Sequence, residues 1–214
     1  MVPTRNQGAA FRDDDLVTED ICQRFQIPRP PIPFAMVTAL ELIEKLGLKP
    51  HKEGGFFSEA WRAPEKLAVN LLPPRYSGSR SLSTAIYYLL TPDTFSRMHR
   101  LRSDELFHFY LGDPVEFLLL PPWSDRDRQA VLDGEPPGRV VVLGSNIRKG
   151  QRPMLVVRRM TWQGARLVAG GKFALLGTTM APGFEYDDHE EGKRETLVKE
   201  YPEFSKKICE LTVP

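Results

Sequence analysis

The chain is poor in the residues that build covalent or metal frameworks, with two cysteines and four histidines in 214 residues. Cys22 and Cys209 lie near opposite ends without metal-type spacing. They read as free thiols in a reducing compartment, although a disulfide tying the N-terminal arm to the last helix stays open. An excess of one charge is also missing. A formal net charge of +1 provides no global field to draw the protein to nucleic acid or to an anionic membrane. Local basic runs at 97–102 and 158–159 lack interleaved aromatics and read as solvated or salt-bridged surface. No apolar run approaches the roughly 20 residues of a membrane span, and the start lacks the basic-then-apolar pattern of a secretory signal. There is no Gly-rich phosphate loop, serine elbow or Cys–His pair. These gaps predict a cytoplasmic protein whose partner is a small-molecule ligand, with no nucleic acid and no membrane.

What is present is a β-rich chain of a length that suits one well-cored domain. Residues 1–35 read as an N-terminal extension. Asp13–Asp15 is a charge run, and the prolines between Pro28 and Pro33 force extended backbone. The first helix is expected over Phe34 to Leu46, with Val37, Leu40, Ile43 and Leu46 as its apolar stripe and Gly47 and Pro50 as its stop. From Gly55 to Met180 aromatic and β-branched runs recur: 56–62, 81–90, 95–101, 105–111, 115–120, 139–143, 154–158, 161–168 and 173–180. Turn signals such as Thr91-Pro-Asp93, Gly112-Asp-Pro114, Asp133 to Gly138 and Ala169-Gly-Gly171 separate them. Many short strands without helices between them predict a mostly β antiparallel sandwich or barrel. Residues 193–201 and 202–211 read as short terminal helices that pack Leu197, Val198, Phe204, Ile208 and Leu211 on the sheet. The single domain is thus expected over 36–214.

The stretch Phe95 to Gly112 carries the chemistry. Strand alternation places 95, 97, 99 and 101 on one face of the first strand and 105, 107 and 109 on one face of the second. His99 and Glu105 can then point into one apolar cavity. Such a pair suits general acid/base work or an incomplete metal site. Phe107 and Phe109 would wall the pocket with low dielectric and shift the proton affinities of the pair. Arg97, on the predicted face of His99, can hold a carboxylate or phosphate in its planar fork, or pair with Glu105 or a surface acid. One of Tyr87 and Tyr88 enters the barrel, and Tyr88 is taken as that one. His108 is out of register with Glu105 and reads as packing or interface. Glu53 and His51 precede the first core strand, where Gly54-Gly55 permits a bulge. They cap the barrel edge or reach the pocket mouth. Asp187-Asp188-His189-Glu190-Glu191 reads as a solvated acidic loop ahead of a helix.

The spacing of His99, Leu101, Glu105 and Gly112 resembles the first motif of the cupins, with Asp93 in place of the leading Gly and Leu101 in place of the second His. Further segments resemble one subfamily, the cupin-five group, long described as a domain of unknown function. They are His51-Lys-Glu-Gly-Gly-Phe-Phe-Ser-Glu59, Ser83 to Thr91, Ser103 to His108, Gly112-Asp-Pro114 and Gly177 to Phe184. The resemblance covers about residues 38–211. It implies a double-stranded β-helix (a cupin jelly roll) with short flanking helices, usually a homodimer, and no defined reaction.

At the second cupin motif Gln163 replaces the histidine, while Arg158 and Met160 replace the Pro and Gly. A full cupin metal site has three His and one Glu, of which only His99 and Glu105 remain along the motifs. If a divalent metal is present, those two would hold it, and weakly. A metal-free pocket is therefore expected, with no other cofactor. His99 and Glu105 are the expected catalytic pair. Arg97, Phe107, Phe109, Gln163, Tyr88 and Glu53 are the expected substrate-binding residues. Metal-independent epimerase-, isomerase- or lyase-like proton transfer on a polar, carbohydrate-like or carbonyl substrate fits best. The alternatives are a non-catalytic metabolite-binding or structural cupin, and a metal-dependent oxygenase or decarboxylase.

Overall fold

The computed structural model describes residues 37–122 and 138–213. The extension expected over 1–35, Cys22, the start of the helix expected from Phe34 and most of the 133–138 turn lie outside the described residues. Helix α1 covers Ala39–Lys45. It begins where Thr38 accepts from the Glu41 N–H and the Glu41 carboxylate returns a bond to the Thr38 N–H at 2.8 Å, a reciprocal capping box. Ile43 and Leu46 of the expected stripe are half-buried, and Leu40 is the departure from it. Leu42 is buried and Leu40 is 77% exposed, because a helix phased from Ala39 turns 39, 42, 43 and 46 inward.

The strands follow the predicted runs closely. They are β1 Lys49–Pro50, β2 Phe56–Arg62, β3 Lys66–Leu67, β4 Arg80–Ser81, β5 Thr84–Leu90, β6 Phe95–Leu101, β7 Glu105–Gly112, β8 Val115–Leu120, β9 Arg139–Leu143, β10 Met154–Val157, β11 Trp162–Leu167, β12 Ala174–Met180 and β13 His189–Glu191. The sequence reads the last of these as part of an acidic loop, whereas it pairs with β6. Helices α2 (Arg194–Glu200) and α3 (Ser205–Glu210) close the described chain. One six-stranded sheet runs β1-β2-β5-β12-β7-β10 and a five-stranded sheet runs β13-β6-β11-β8-β9, with β3 and β4 as a separate pair. The ladders within both sheets are antiparallel.

Period-2 patterning explains the core between the sheets. Tyr88, Leu90, Phe107, Leu155, Val157, Ala174 and Leu176 from one sheet meet Val115, Phe117, Leu119, Leu143, Ala165 and Leu167 from the other. The opposite face of the five-stranded sheet presents Met98, Leu118, Leu120 and Trp162 to Leu197, Tyr201, Ile208 and Leu211 of the terminal segment. Val198 and Phe204 pack at its edge, so all five apolar residues expected from those helices do pack against the sheet. Cys209 is exposed with a free thiol.

A bulge modifies the predicted faces of β6. Gln163 pairs with His99 but Ala165 pairs with Ser96, so β6 carries one extra residue between Ser96 and His99. Ser96 is buried, while Phe95 packs with the terminal-helix cluster instead of sharing the face of His99. The extra residue also frees backbone for partners outside the ladder. The Arg97 N–H donates to the Glu53 carbonyl at 2.9 Å, and the Met98 N–H donates to the Leu211 carbonyl at 2.8 Å. The helix phase is testable by denaturant titration. Leu42→Ala is expected to cost about 2 kcal/mol or more, as buried truncations do, whereas Leu40→Ala stays within about 0.5 kcal/mol. Equal costs would contradict the assigned face.

Candidate functional site

One end of the sandwich opens into a cavity of about 130 Å³ whose walls include His51, Glu53, His99, Leu101, Glu105 and Thr178. Apolar walls come from Phe57, Ile86, Met180 and Phe184, with Glu59, Arg62, Glu185 and Tyr186 also lining it. Arg62 is held by three residues. It bonds both Glu59 oxygens at 3.0 and 2.9 Å, Glu185 at 2.8 Å and the Phe184 carbonyl at 3.2 Å.

Glu53 is the hub. Its side chain is 12% exposed. His189 Nε2 lies 2.9 Å from Oε1, and His99 Nε2 lies 3.4 Å from Oε2. The His51 Nδ1 accepts the Glu53 backbone N–H at 3.2 Å. The segment is held against β6 by close backbone approach. Gly54 sits at φ +108°, and a Cβ there would overlap the Phe95 carbonyl oxygen, so the Gly that follows Glu53 is required by both conformation and space. Burial pushes the Glu53 carboxyl up. The neighbouring His99, the His189 contact and His51 outweigh that, and the carboxyl lies at about 2. The Glu53 contact raises His189, while burial lowers His51.

Glu105 is the contrasting carboxyl. Burial pushes it up to about 7, opposed by His99 and reinforced by the negative charge of Glu53. Gln163 donates from Nε2 to Oε2 at 2.7 Å, and Thr178 adds a smaller stabilising bond. Two carboxyl groups in one cavity are thus driven apart in proton affinity, which is the pattern that separates acid and base roles in active sites.

His189 reaches the site from β13. Its residue partner across the ladder is Leu101, so the imidazole comes from the strand beside the position where the cupin motif would place its second histidine. Asp188 anchors the approach. Arg80 grips it through Nε at 2.8 Å and NH2 at 2.7 Å, with side chains 2% and 0% exposed. A buried bidentate pair of this kind fixes geometry more than it adds stability. The acidic-loop reading of 187–191 is corrected here: Asp188 is buried in an ion pair and His189 enters the cavity cluster. No local signal marks His189, because its position depends on a long-range ladder.

The other expected residues divide. His99, Glu105 and Glu53 line the cavity. Gln163 is buried behind Glu105, with its Oε1 left without a hydrogen-bond partner. Tyr88 is buried in the core and donates its hydroxyl to the Gly54 carbonyl at 2.9 Å. Burial raises its phenol. Phe107 belongs to the core and stacks edge-on against Phe117 at 4.7 Å, and Phe109 packs beside it. Neither is among the residues lining the cavity. Arg97 faces Glu191 at 3.2 Å and donates to the Lys52 carbonyl, so its fork is not directed at Glu105. His108 contacts Thr179 at 3.5 Å on the opposite side of β7. The motif names His99 with Glu105 as the pair for a metal, if one is bound. The donors that converge are Glu53, His99 and His189, all within 4.8 Å of one another, while Leu101 offers no donor and Gln163 is spent on Glu105.

The antiparallel jelly roll with polar residues converging at one end is the arrangement expected of a cupin. The chain belongs to the family described as "Cupin superfamily (DUF985)", whose profile matches residues 40–191. An uncharacterized protein of Saccharomyces cerevisiae is 27% identical over 168 residues, covering 74% of this chain and 77% of that one. A hypothetical protein from Leishmania major superposes with a TM-score of 0.69 at 28% identity, over 83% of this chain and 100% of that chain. A protein from Shewanella oneidensis gives 0.69 and 28%, over 84% and 99%.

The Glu105 proton has a thermodynamic signature. Its folded value of about 7 stands above the ordinary 4.5, so between those pH values the folded state binds more protons and stability falls as pH rises. Glu105→Gln removes this dependence and leaves the other cavity side chains in place. The melting temperature of the variant relative to wild type should therefore rise by about 5 °C or more between pH 5 and pH 8. A difference that stays flat with pH would contradict the raised value.

Proposed function

We propose that this cupin is an enzyme that moves a proton on a small polar substrate held in the barrel, with Glu105 as the group that gives and takes it. The observation that carries the reading is the placement of Glu105. Its carboxyl faces the cavity, is fixed from behind by Gln163, and shares the space with the Glu53–His99–His189 cluster. A proton affinity near neutrality suits a group that must act in both directions.

The cavity limits the substrate. Its volume of about 130 Å³ is close to the roughly 150 Å³ that admits benzene, so it holds about six heavy atoms or the reacting end of a longer molecule. Arg62 and Arg97 have carboxylate and carbonyl partners, which favours a neutral hydroxyl- or carbonyl-bearing group over an anion. Apolar walls at Phe57, Ile86 and Met180 lower the local dielectric and strengthen the electrostatics beside them. In the step itself, Glu105 as carboxylate takes the C–H proton next to a carbonyl. The resulting enolate oxygen lies toward the imidazoles of the cluster, which carry the hydroxyl proton of the adjacent carbon across to it, and protonated Glu105 returns its proton to that neighbouring carbon. The carbonyl moves by one carbon, an aldose–ketose type of isomerisation without net redox change.

Solvent exchange tests this. Small hydroxy-carbonyl compounds, including aldoses, ketoses and hydroxy acids, are incubated with the protein in D₂O and followed by proton NMR. At least one should lose a C–H signal, and Glu105→Gln should slow that loss by about 10²-fold or more. No exchange in the panel, or equal exchange by the variant, overturns proton transfer. A ligand-induced melting shift without exchange would leave a metabolite-binding cupin instead.

A further inference from the structure

We infer that Glu53, His99 and His189 form a binding site for a divalent first-row transition metal, with open coordination positions facing the cavity. This goes beyond proton transfer by Glu105 and does not depend on it. The donors come from three separate segments: the loop before β2, strand β6 and strand β13. They share only His99 with the ligand positions of the cupin motif.

The first argument is distance. An ion bound at about 2.0–2.2 Å by imidazole nitrogen and carboxylate oxygen keeps neighbouring donors about 2.9–3.5 Å apart. The Glu53 oxygens lie 2.9 Å from His189 Nε2 and 3.4 Å from His99 Nε2. The two imidazoles lie with planes 21° apart and centroids 5.3 Å apart, so both present a ring edge to the same carboxylate.

The second argument is the hydrogen-bond inventory. His99 Nδ1 lies 2.7 Å from the Arg97 carbonyl, and a carbonyl only accepts. The proton is therefore on Nδ1, and in the neutral ring the Nε2 lone pair points at Glu53. A histidine whose far nitrogen donates to a backbone carbonyl is the usual arrangement behind a metal ligand, because that bond fixes the tautomer. His189 Nε2 is buried and makes no hydrogen bond, although it stands 2.9 Å from a carboxylate oxygen. The contact has the distance of an ion pair without the alignment of a shared proton. A divalent ion at this point would take the lone pairs of both imidazoles and of the carboxylate, in the place that a proton on His189 otherwise fills.

The third argument is support. The β13 ladder fixes His189, the buried Arg80–Asp188 pair fixes the residue before it, and the Arg97 N–H fixes the Glu53 carbonyl. Rigid backing of this kind is what a metal site needs. Two imidazoles and one carboxylate select a borderline ion such as Zn²⁺, Co²⁺ or Fe²⁺ over Mg²⁺ or Ca²⁺, which take oxygen donors. Three protein ligands leave room for a water or a substrate oxygen.

The test is titration of the chelator-treated full-length chain with Co²⁺, read by visible absorption, and with Zn²⁺, read by calorimetry. One ion per chain is expected, with visible Co²⁺ bands that Zn²⁺ displaces and excess Mg²⁺ does not. His189→Ala and Glu53→Gln should each weaken binding by about 100-fold or more, while Glu105→Gln changes it by less than about 10-fold. Circular dichroism checks folding, and His189→Asn substitutes if the alanine variant unfolds. Affinity should fall as pH drops through the histidine range. The proposal is overturned by no saturable Co²⁺ binding, by binding unchanged in the His189 variants, or by loss in Glu105→Gln alone. Metal binding that holds while solvent exchange fails would sink only the proton-transfer reading, and the converse would sink only the metal site.

Discussion

A carboxylate almost removed from water must either take a proton or be surrounded by donors and positive charge. Glu53 is in that position, and the geometry of the cavity end follows from how the chain meets the requirement. His51 comes from the same loop, His99 from the middle of β6 and His189 from the short β13, and each places a ring nitrogen near the Glu53 carboxylate. Each approach depends on a distinct backbone device. Gly54 lets the loop press against β6, the bulge in β6 gives Arg97 a free N–H for the Glu53 carbonyl, and the Arg80–Asp188 pair delivers His189.

The ionised Glu53 then shapes the other carboxyl. Glu105 lies in the same low-dielectric space, so the negative charge of Glu53 adds to its burial and keeps its proton on to near neutrality. Gln163 and Thr178 limit the rise. Without them a buried glutamic acid would stay protonated well above the working range, and with too many donors it would ionise as readily as one in water. The intermediate balance leaves Glu105 with a proton affinity near neutrality, which is what the proposed proton transfer would use.

Much of this was legible in the sequence because it is local. Alternation located the main strands, and the spacing of His99 and Glu105 pointed to the cupin fold and to two of the cavity groups. Features set by long-range pairing were not legible. The bulge in β6, seen only against β11, moved Phe95 to the helix-covered face and turned Arg97 toward Glu191. The β13 ladder converted a stretch that reads as acidic loop into a strand carrying His189. Counting ligands along the motif found gaps at Leu101 and Gln163, yet the strand paired beside Leu101 supplies an imidazole. The stripe of α1 was legible at Ile43 and Leu46, while Leu40 points to solvent and Leu42 takes the inward place.

The most direct test of the account is a titration of the glutamate side-chain carboxyls by carbon NMR, with Glu53→Gln and Glu105→Gln assigning the two signals. The account predicts that the Glu105 carboxyl titrates near 7 and that the Glu53 carboxyl stays ionised down to about 2. Both signals moving together near the ordinary 4.5 would contradict it.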